Sequence, residues 1–139
     1  MTEPVFAGVR EFPDGTRTAV DAAAAIGCEV AQIVKSLVFR RGDDAVLVLC
    51  SGANTVDEGA LGVQKADAAF VREHTGFAIG GVPPYGWRLP PAETIVDEDL
   101  LVLAELWAAA GTPRAVFPLS PGELLERTAG RPARVKPPG

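Results

Sequence analysis

Histidine is almost missing from this sequence, and with it goes much of the usual catalytic repertoire. The 139 residues contain one histidine, His74. A Ser-His-Asp or Cys-His mechanism would have to use that single residue as its base, and a zinc site would need several more ligands than the chain supplies. His74 lies in FVREHTG, where it reads as a helix-end residue favoured by the helix dipole. Neither GxxxxGK[ST] nor GxGxxG occurs, so phosphate cradles of those kinds are absent. Cysteine is also scarce. Cys28 and Cys50 sit in apolar surroundings, AAAAIGCEV and AVLVLCSG, and read as small core residues with no disulfide between them. No apolar run approaches the roughly 20 residues that span a bilayer, and MTEPVFAGVREF lacks the basic-then-apolar order of a secretory signal. A cytoplasmic protein with no membrane partner is expected. Excess positive charge is lacking as well. A net charge of −5 argues against coating nucleic acid non-specifically, although it leaves room for a local phosphate site.

What the chain does have is the length of one domain, 1–139, and 47% hydrophobic residues, enough for one well-filled core. TRTAVDAAAAIG (16–27) predicts a helix, with Thr18 three residues before Asp21 and Gly27 as its stop. QIVKSLVF and AVLVLC, separated by RRGDD, predict a hairpin in a largely buried sheet. SGANTVD carries the caps of a short helix near 57–62, and ADAAFVREHTG (66–76) predicts another helix closed by Gly76. AETIVDEDL predicts a short strand running into a turn. VLAELWAAAGTPRAVFPL fits a helix or two strands around GTP, and strands are favoured. SPGELLERTAG predicts a helix with Ser120 as N-cap, Pro121 in its first turn, Glu123 closing a capping box and Gly130 at its stop. PARV predicts a last strand. Helices interleaved with hairpins point to a mixed α/β (α+β) sheet partly wrapped by helices rather than a doubly wound fold.

Three features invite a chemical reading. Asp97, Glu98 and Asp99 are consecutive acids, but successive side chains diverge, and the run reads as a solvated loop or helix start rather than a metal site. Lys35 is different, because it interrupts an apolar strand. A lysine there needs an anionic partner or a route to water, and a snorkelling lysine at a sheet edge explains it as well as a function does. FAIGGVPPYGW (77–87) concentrates glycines and prolines with no acid, base or nucleophile inside it, and no regular element runs through its paired prolines.

QIVKSLVF taken with GGVPPYG resembles the YbaK/prolyl-tRNA synthetase editing-domain family, the free-standing deacylases of wrongly charged tRNA. LVLCSGANTVD, KADAAFVREHTG, VDEDLL, WAAAGTP and LSPGELLERTAG follow in the family's order, so that the resemblance covers nearly the whole chain after about residue 16. It implies a mixed, barrel-like sheet surrounded by helices. The implied substrate is an aminoacyl ester on the 3′-terminal adenosine of a tRNA, usually proline tRNA carrying a small non-cognate amino acid. Lys35 matches the family lysine that engages the phosphate near that adenosine. Gly80 and Pro84 match the ends of the family's GxxxP loop, with Gly81, Val82 and Pro83 between them. Ser36 corresponds to a position near the aminoacyl pocket, where its hydroxyl either pairs with a polar ligand or bonds back to its own strand. Gly52 and Asn54, in the loop after the second hairpin strand, are further candidate substrate contacts, and turn formation also explains Asn54. No cofactor and no metal are implied, and a prolyl-tRNA synthetase is a candidate partner. The chain departs from the family at Trp87, where members often carry a histidine, and in the shorter connection DEGALGVQKAD.

The implied chemistry is physically reasonable. An aminoacyl ester is already reactive, so its hydrolysis needs a positioned water and a stabilised oxyanion more than a covalent nucleophile. Backbone N–H groups held by glycines and prolines supply the second need. The rival readings are a non-catalytic module for a charged tRNA end or a partner synthetase, and an amino-acid-binding regulatory domain that ignores tRNA.

Overall fold

Two adjacent apolar, β-branched runs seed the sheet. A computed structural model of the chain describes residues 6–13 and 18–138. In it β2 (Ile33–Arg41) and β3 (Asp44–Ser51) form the expected antiparallel hairpin, with Lys35 opposite Cys50 and Arg41 opposite Asp44. The turn is made by Gly42, whose φ of +65° is the left-handed conformation that glycine adopts freely. From Val46 to Cys50 no residue is more than 1% exposed. Burial of both faces explains why this strand reads as a continuous apolar run rather than an alternating one. Alternation still sorts the side chains. Leu47 and Leu49 enter one cluster with Val34, Val96, Leu106 and Phe117, while Val46, Val48 and Cys50 enter another with Phe39, Ile95 and Val135. Each fully buried Leu or Val contributes about 1.5–3 kcal/mol of transfer free energy.

The remaining strands are β1 (Arg10–Glu11), β4 (Gln64–Lys65), β5 (Glu93–Asp97), β6 (Leu106–Ala109), β7 (Ala115–Leu119) and β8 (Arg131–Ala133). The sheet runs β1-β7-β6-β2-β3-β5-β8, with β4 added to β2. β2–β6, β3–β5 and β5–β8 are parallel and the other pairs antiparallel, so the sheet is mixed, as expected. LWAA and AVFPL form strands rather than a helix, paired antiparallel across the glycine turn.

Among the described residues four α-helices flank the sheet, each capped by the residues that announce it. In α1 (Ala19–Ile26) the Thr18 hydroxyl accepts the Asp21 N–H at 3.0 Å and Gly27 takes φ +88°; positions 16–17 of the expected helix lie outside the described residues. Asp57 caps α2 (Glu58–Leu61), and Asp67 caps α3 (Ala68–Thr75), which Gly76 closes. α4 (Pro121–Thr128) opens with the Ser120–Glu123 capping box. His74 stands in the last turn of α3, its ring stacked on Phe70 at 4.1 Å.

Three expectations need correction. The left-handed residue after α4 is Ala129, φ 54°, not Gly130. Gly130 serves close packing, since a Cβ there would lie 2.4 Å from Val96 Cγ2. The last strand starts at Arg131 and ends at Ala133, and Val135 leaves the sheet to fill the second cluster while its carbonyl accepts the Asp57 N–H at 2.7 Å. Asp97 is not solvated: it is 1% exposed. Of the cysteines, Cys50 is buried and Cys28 only half-buried, and both are free.

Candidate active site

A cleft of about 770 Å³ opens along β2, between α1 and the irregular segment 76–92. Lys35, Ser36, Gly52, Gly80 and Val82 line it together. Its mouth carries two exposed apolar residues, Val20 of α1 and Ile79. The volume falls in the range of about 300–1,000 Å³ typical of small-ligand sites.

Lys35 occupies one wall. Its ammonium, half-buried, donates to the carbonyl of Asn54, and it forms no ion pair among the described residues. A backbone carbonyl satisfies one of three N–H donors and neutralises no charge, so the cleft keeps an uncompensated positive charge. Cys50, its cross-strand partner, donates weakly to the Ser51 and Asn54 carbonyls. Burial pushes the Cys50 thiol up to about 12, against the opposing pull of the Lys35 charge. Near neutral pH it stays a thiol and offers no thiolate nucleophile.

The loop that accepts the Lys35 bond is held from behind by acids. Asp97 Oδ2 accepts the Ser51 N–H at 3.0 Å and Asn54 Nδ2 at 2.8 Å, and Asp99 Oδ2 accepts Asn54 Nδ2 at 2.9 Å and Lys136 Nζ at 2.7 Å. The hydrogen bonds from Lys136 and then Asn54 hold the Asp99 carboxyl below the usual carboxylate range. Asn54 thus turns its amide away from the cleft and positions Lys35 through its carbonyl. In the sequence Asp97 reads as one of a run of solvated acids, and Lys136 does not stand out as part of a site. The available signal for Asp97 is its place at the end of the buried run ETIV. Gly52 is required by packing, because a Cβ there would meet the Val30 carbonyl oxygen at 2.4 Å.

The other wall is the segment 77–87, and its two ends face different ways. Gly80, φ +95°, is exposed on the cleft, followed by buried Gly81 to Pro84. Gly81 serves close approach, since a Cβ there would sit 2.8 Å from Thr112 Cα, and its N–H is taken by the Ala78 carbonyl at 3.0 Å. Pro83 and Pro84 have no N–H. Within residues 80–84 the donors without an acceptor among the described residues are therefore those of Gly80 and Val82. Pro84 lines a separate hollow of about 230 Å³ with Tyr85, Trp87 and Arg127, not the cleft. Trp87 packs against the first core cluster and its indole N–H donates to the Pro83 carbonyl at 2.9 Å, so it fastens the proline end of the loop. Beneath the loop, fully buried Thr75 donates to the Val71 carbonyl at 2.7 Å and accepts the Phe77 N–H at 2.9 Å, while the Arg88 N–H closes onto the Thr75 carbonyl at 3.1 Å.

The model of the aminoacyl-tRNA editing domain matches residues 13–126. The chain belongs to the aminoacyl-tRNA editing domain family. A solved protein described as a candidate trans-editing enzyme for prolyl tRNA synthetase is 49% identical, with a TM-score of 0.87 over 94% of this chain and 86% of that one. The uncharacterized protein YwhH of Bacillus subtilis (strain 168) is 32% identical over 130 residues, 85% of this chain and 79% of that one. A proline–tRNA ligase of Desulforamulus reducens is 29% identical over 96 residues, which span 64% of this chain and 16% of the ligase. Among the described residues no helix is long and apolar enough to cross a membrane, and no group of three His, Cys, Asp or Glu side chains could hold a metal ion.

Proposed function

We propose that this editing domain is a trans-acting deacylase that hydrolyses the ester of mischarged tRNA, with proline tRNA bearing a small non-cognate amino acid as its substrate. The observation that carries the reading is a Lys35 ammonium with no ion pair among the described residues, in a cleft also lined by Gly80 and Val82, whose N–H groups have no acceptor among those residues. The similarity to a protein described as a candidate trans-editing enzyme for prolyl tRNA synthetase supports the choice of tRNA.

In this mechanism Lys35 binds a phosphate of the acceptor end as a point charge and orients the ester across the cleft. Water adds to the acyl carbon, the carbonyl oxygen becomes an oxyanion received by the Gly80 and Val82 N–H groups, and the bond to the ribose oxygen breaks. That oxygen leaves with a proton, giving free amino acid and an uncharged 3′ end. A ribose hydroxyl of the substrate relays the proton, and no side chain of the loop has to titrate. The glycine end of the loop is the working end, and the proline end with Trp87 is its anchor.

The test is a panel of proline tRNAs charged with Ala, Cys, Ser, Thr or 2-aminobutyrate, alongside another tRNA carrying the same amino acids. Release of at least one amino acid, faster from proline tRNA, is the expected result. If all five esters persist at high protein concentration, the deacylase reading fails. Equal rates on both tRNAs would remove the proline-tRNA assignment alone.

A further inference from the structure

Strand β2 changes neighbours along one edge and leaves a gap there. Every residue from Val34 to Arg41 pairs with β3 on the other edge, and the bond from the Gly52 N–H to the Ile33 carbonyl, 2.7 Å, sets the parity. Odd-numbered residues turn their N–H and C=O to β3, and even-numbered residues turn theirs away from it. On that second edge β6 pairs only as far as Val34 and β4 only from Phe39. Among the described residues Ser36 and Val38 face no strand on that edge.

The rung between Phe39 and Lys65 uses the Val38 carbonyl for the next N–H of the β4 chain. The Ser36 N–H, the Ser36 C=O and the Val38 N–H remain open, and no loop among the described residues supplies them with a partner. Both residues line the cleft, and Ser36 Oγ is buried with no hydrogen-bond partner, so the hydroxyl does not bond back to its strand. Half-buried polar groups left open in this way favour a ligand that meets them.

The gap selects the ligand by size. Its four residues, 35–38, span about 13 Å at ~3.3 Å per residue. Strands wall both ends, which leaves room for an aminoacyl group and none for a peptide strand to run through. We propose that the aminoacyl residue of the substrate docks on this edge as a one-residue strand opposite Ser36. Its α-ammonium donates to the Ser36 carbonyl and its acyl oxygen accepts from the Ser36 N–H in the bound ester, the reciprocal exchange of an antiparallel rung; the Gly80 and Val82 N–H groups join that donor as the oxygen becomes the oxyanion. This deepens the deacylase reading and rests on it. The α-ammonium, common to all amino acids, becomes the group that admits a substrate, and the cleft walls sort side chains.

The test uses 3′-amino-3′-deoxyadenosine carrying alanine, lactate or propionate through a stable amide. The three acyl groups share a carbon skeleton and differ in presenting an ammonium, a hydroxyl or a hydrogen. In the free ¹⁵N-labelled protein, the Ser36 and Val38 amides should exchange with solvent faster than those of Leu37 and Phe39. The alanyl ligand should shift and protect the Ser36 amide and bind about 10- to 100-fold more tightly than the propionyl ligand, with the lactyl ligand between them. Equal affinity for alanyl and propionyl ligands, or a Ser36 amide that does not respond, overturns the proposal. Because the amide is not cleaved, the two ideas fail separately. Binding as expected with every aminoacyl ester left intact removes the deacylase reading and keeps the edge recognition. Hydrolysis with no preference for the ammonium does the reverse.

Discussion

The two walls of the cleft hold their working groups by opposite means. β2 delivers Lys35 from a regular ladder, in which the backbone bonds to β3 fix the residue and the ammonium adds one bond to the Asn54 carbonyl. The segment from Gly76 to Pro91 has no ladder. Its shape rests on Gly81 pressed against Thr112, the Thr75 hydroxyl bridging Val71 and Phe77, the Trp87 indole on Pro83, and the Arg88 N–H on Thr75. In the proposed mechanism the first wall acts through the end of a side chain that the fold hardly needs. The second would act through backbone whose position is itself the fold, so that chemistry and stability would not be separable there.

The largest effect expected from this contrast is Lys35→Ala. It should lower kcat/KM for deacylation by about 100-fold or more, equivalent to ~2.7 kcal/mol of lost transition-state binding. Stability should change by less than about 1 kcal/mol, because the ammonium has no ion-pair partner among the described residues to orphan. Deacylation kinetics and urea midpoints measured on the same preparation check both halves. A loss of stability matching the loss of activity would show that the β2 wall is no more separable than the loop.

Gly81→Ala should behave in the opposite way. The new Cβ would meet Thr112 backbone at 2.8 Å, where no flexible side chain can yield. Overpacking of this kind costs about 1–3 kcal/mol, and displacement of the Gly80 and Val82 donors should cost roughly 10-fold or more in kcat. Denaturation and single-turnover rates should therefore fall together. Full activity in a destabilised Gly81→Ala protein would separate the donors from the seating of the loop.

Most of the regular structure was legible in short-range signals, because capping and turn chemistry act over three or four residues. Thr18 with Asp21, Asp57, Ser120 with Glu123, and the RRGDD turn each mark the element they begin or join. Signals that depend on distant packing were not legible. Gly130 looks like a helix stop, yet it is a glycine because Val96 lies against it, and the left-handed conformation passes to Ala129 at a cost of ~1–2 kcal/mol. Asp97 looks like one of three surface acids until the loop 51–54 folds over it. The two-residue strands β1 and β4 carry no pattern of their own, and the parallel pairings of β2 with β6 and β3 with β5 join segments far apart in sequence. At the site, Lys35 and the glycine–proline loop announced themselves by breaking local rules. The proposed division of that loop into a working end and an anchor, and the open edge at Ser36, depend on which neighbours are present.

The smallest effect concerns how Lys35 is aimed, and it is read through acid. Asp99 has its carboxyl pK lowered by the hydrogen bonds from Lys136 and Asn54, and Glu93 has its own lowered by those from Arg41 and Arg131. A carboxylate whose folded value lies below its unfolded one contributes stability above the unfolded value, about 4, and loses it as pH falls through the folded value. Asp99→Asn and Glu93→Gln should each flatten the fall in urea midpoint below about pH 4. The loss at pH 7 should be under about 1 kcal/mol, because the Asp99–Lys136 pair is more than one-third exposed and solvent screens it. Activity distinguishes the two carboxylates. Asp99 grips the residue whose carbonyl holds the Lys35 ammonium, so Asp99→Asn should raise KM by a few-fold at neutral pH. Glu93 ties Arg41 to Arg131 and does not line the cleft, so Glu93→Gln should leave KM unchanged. An identical KM in both variants would mean that the ladder alone aims Lys35, and would make the β2 wall still more independent of its surroundings than the contrast with the loop requires.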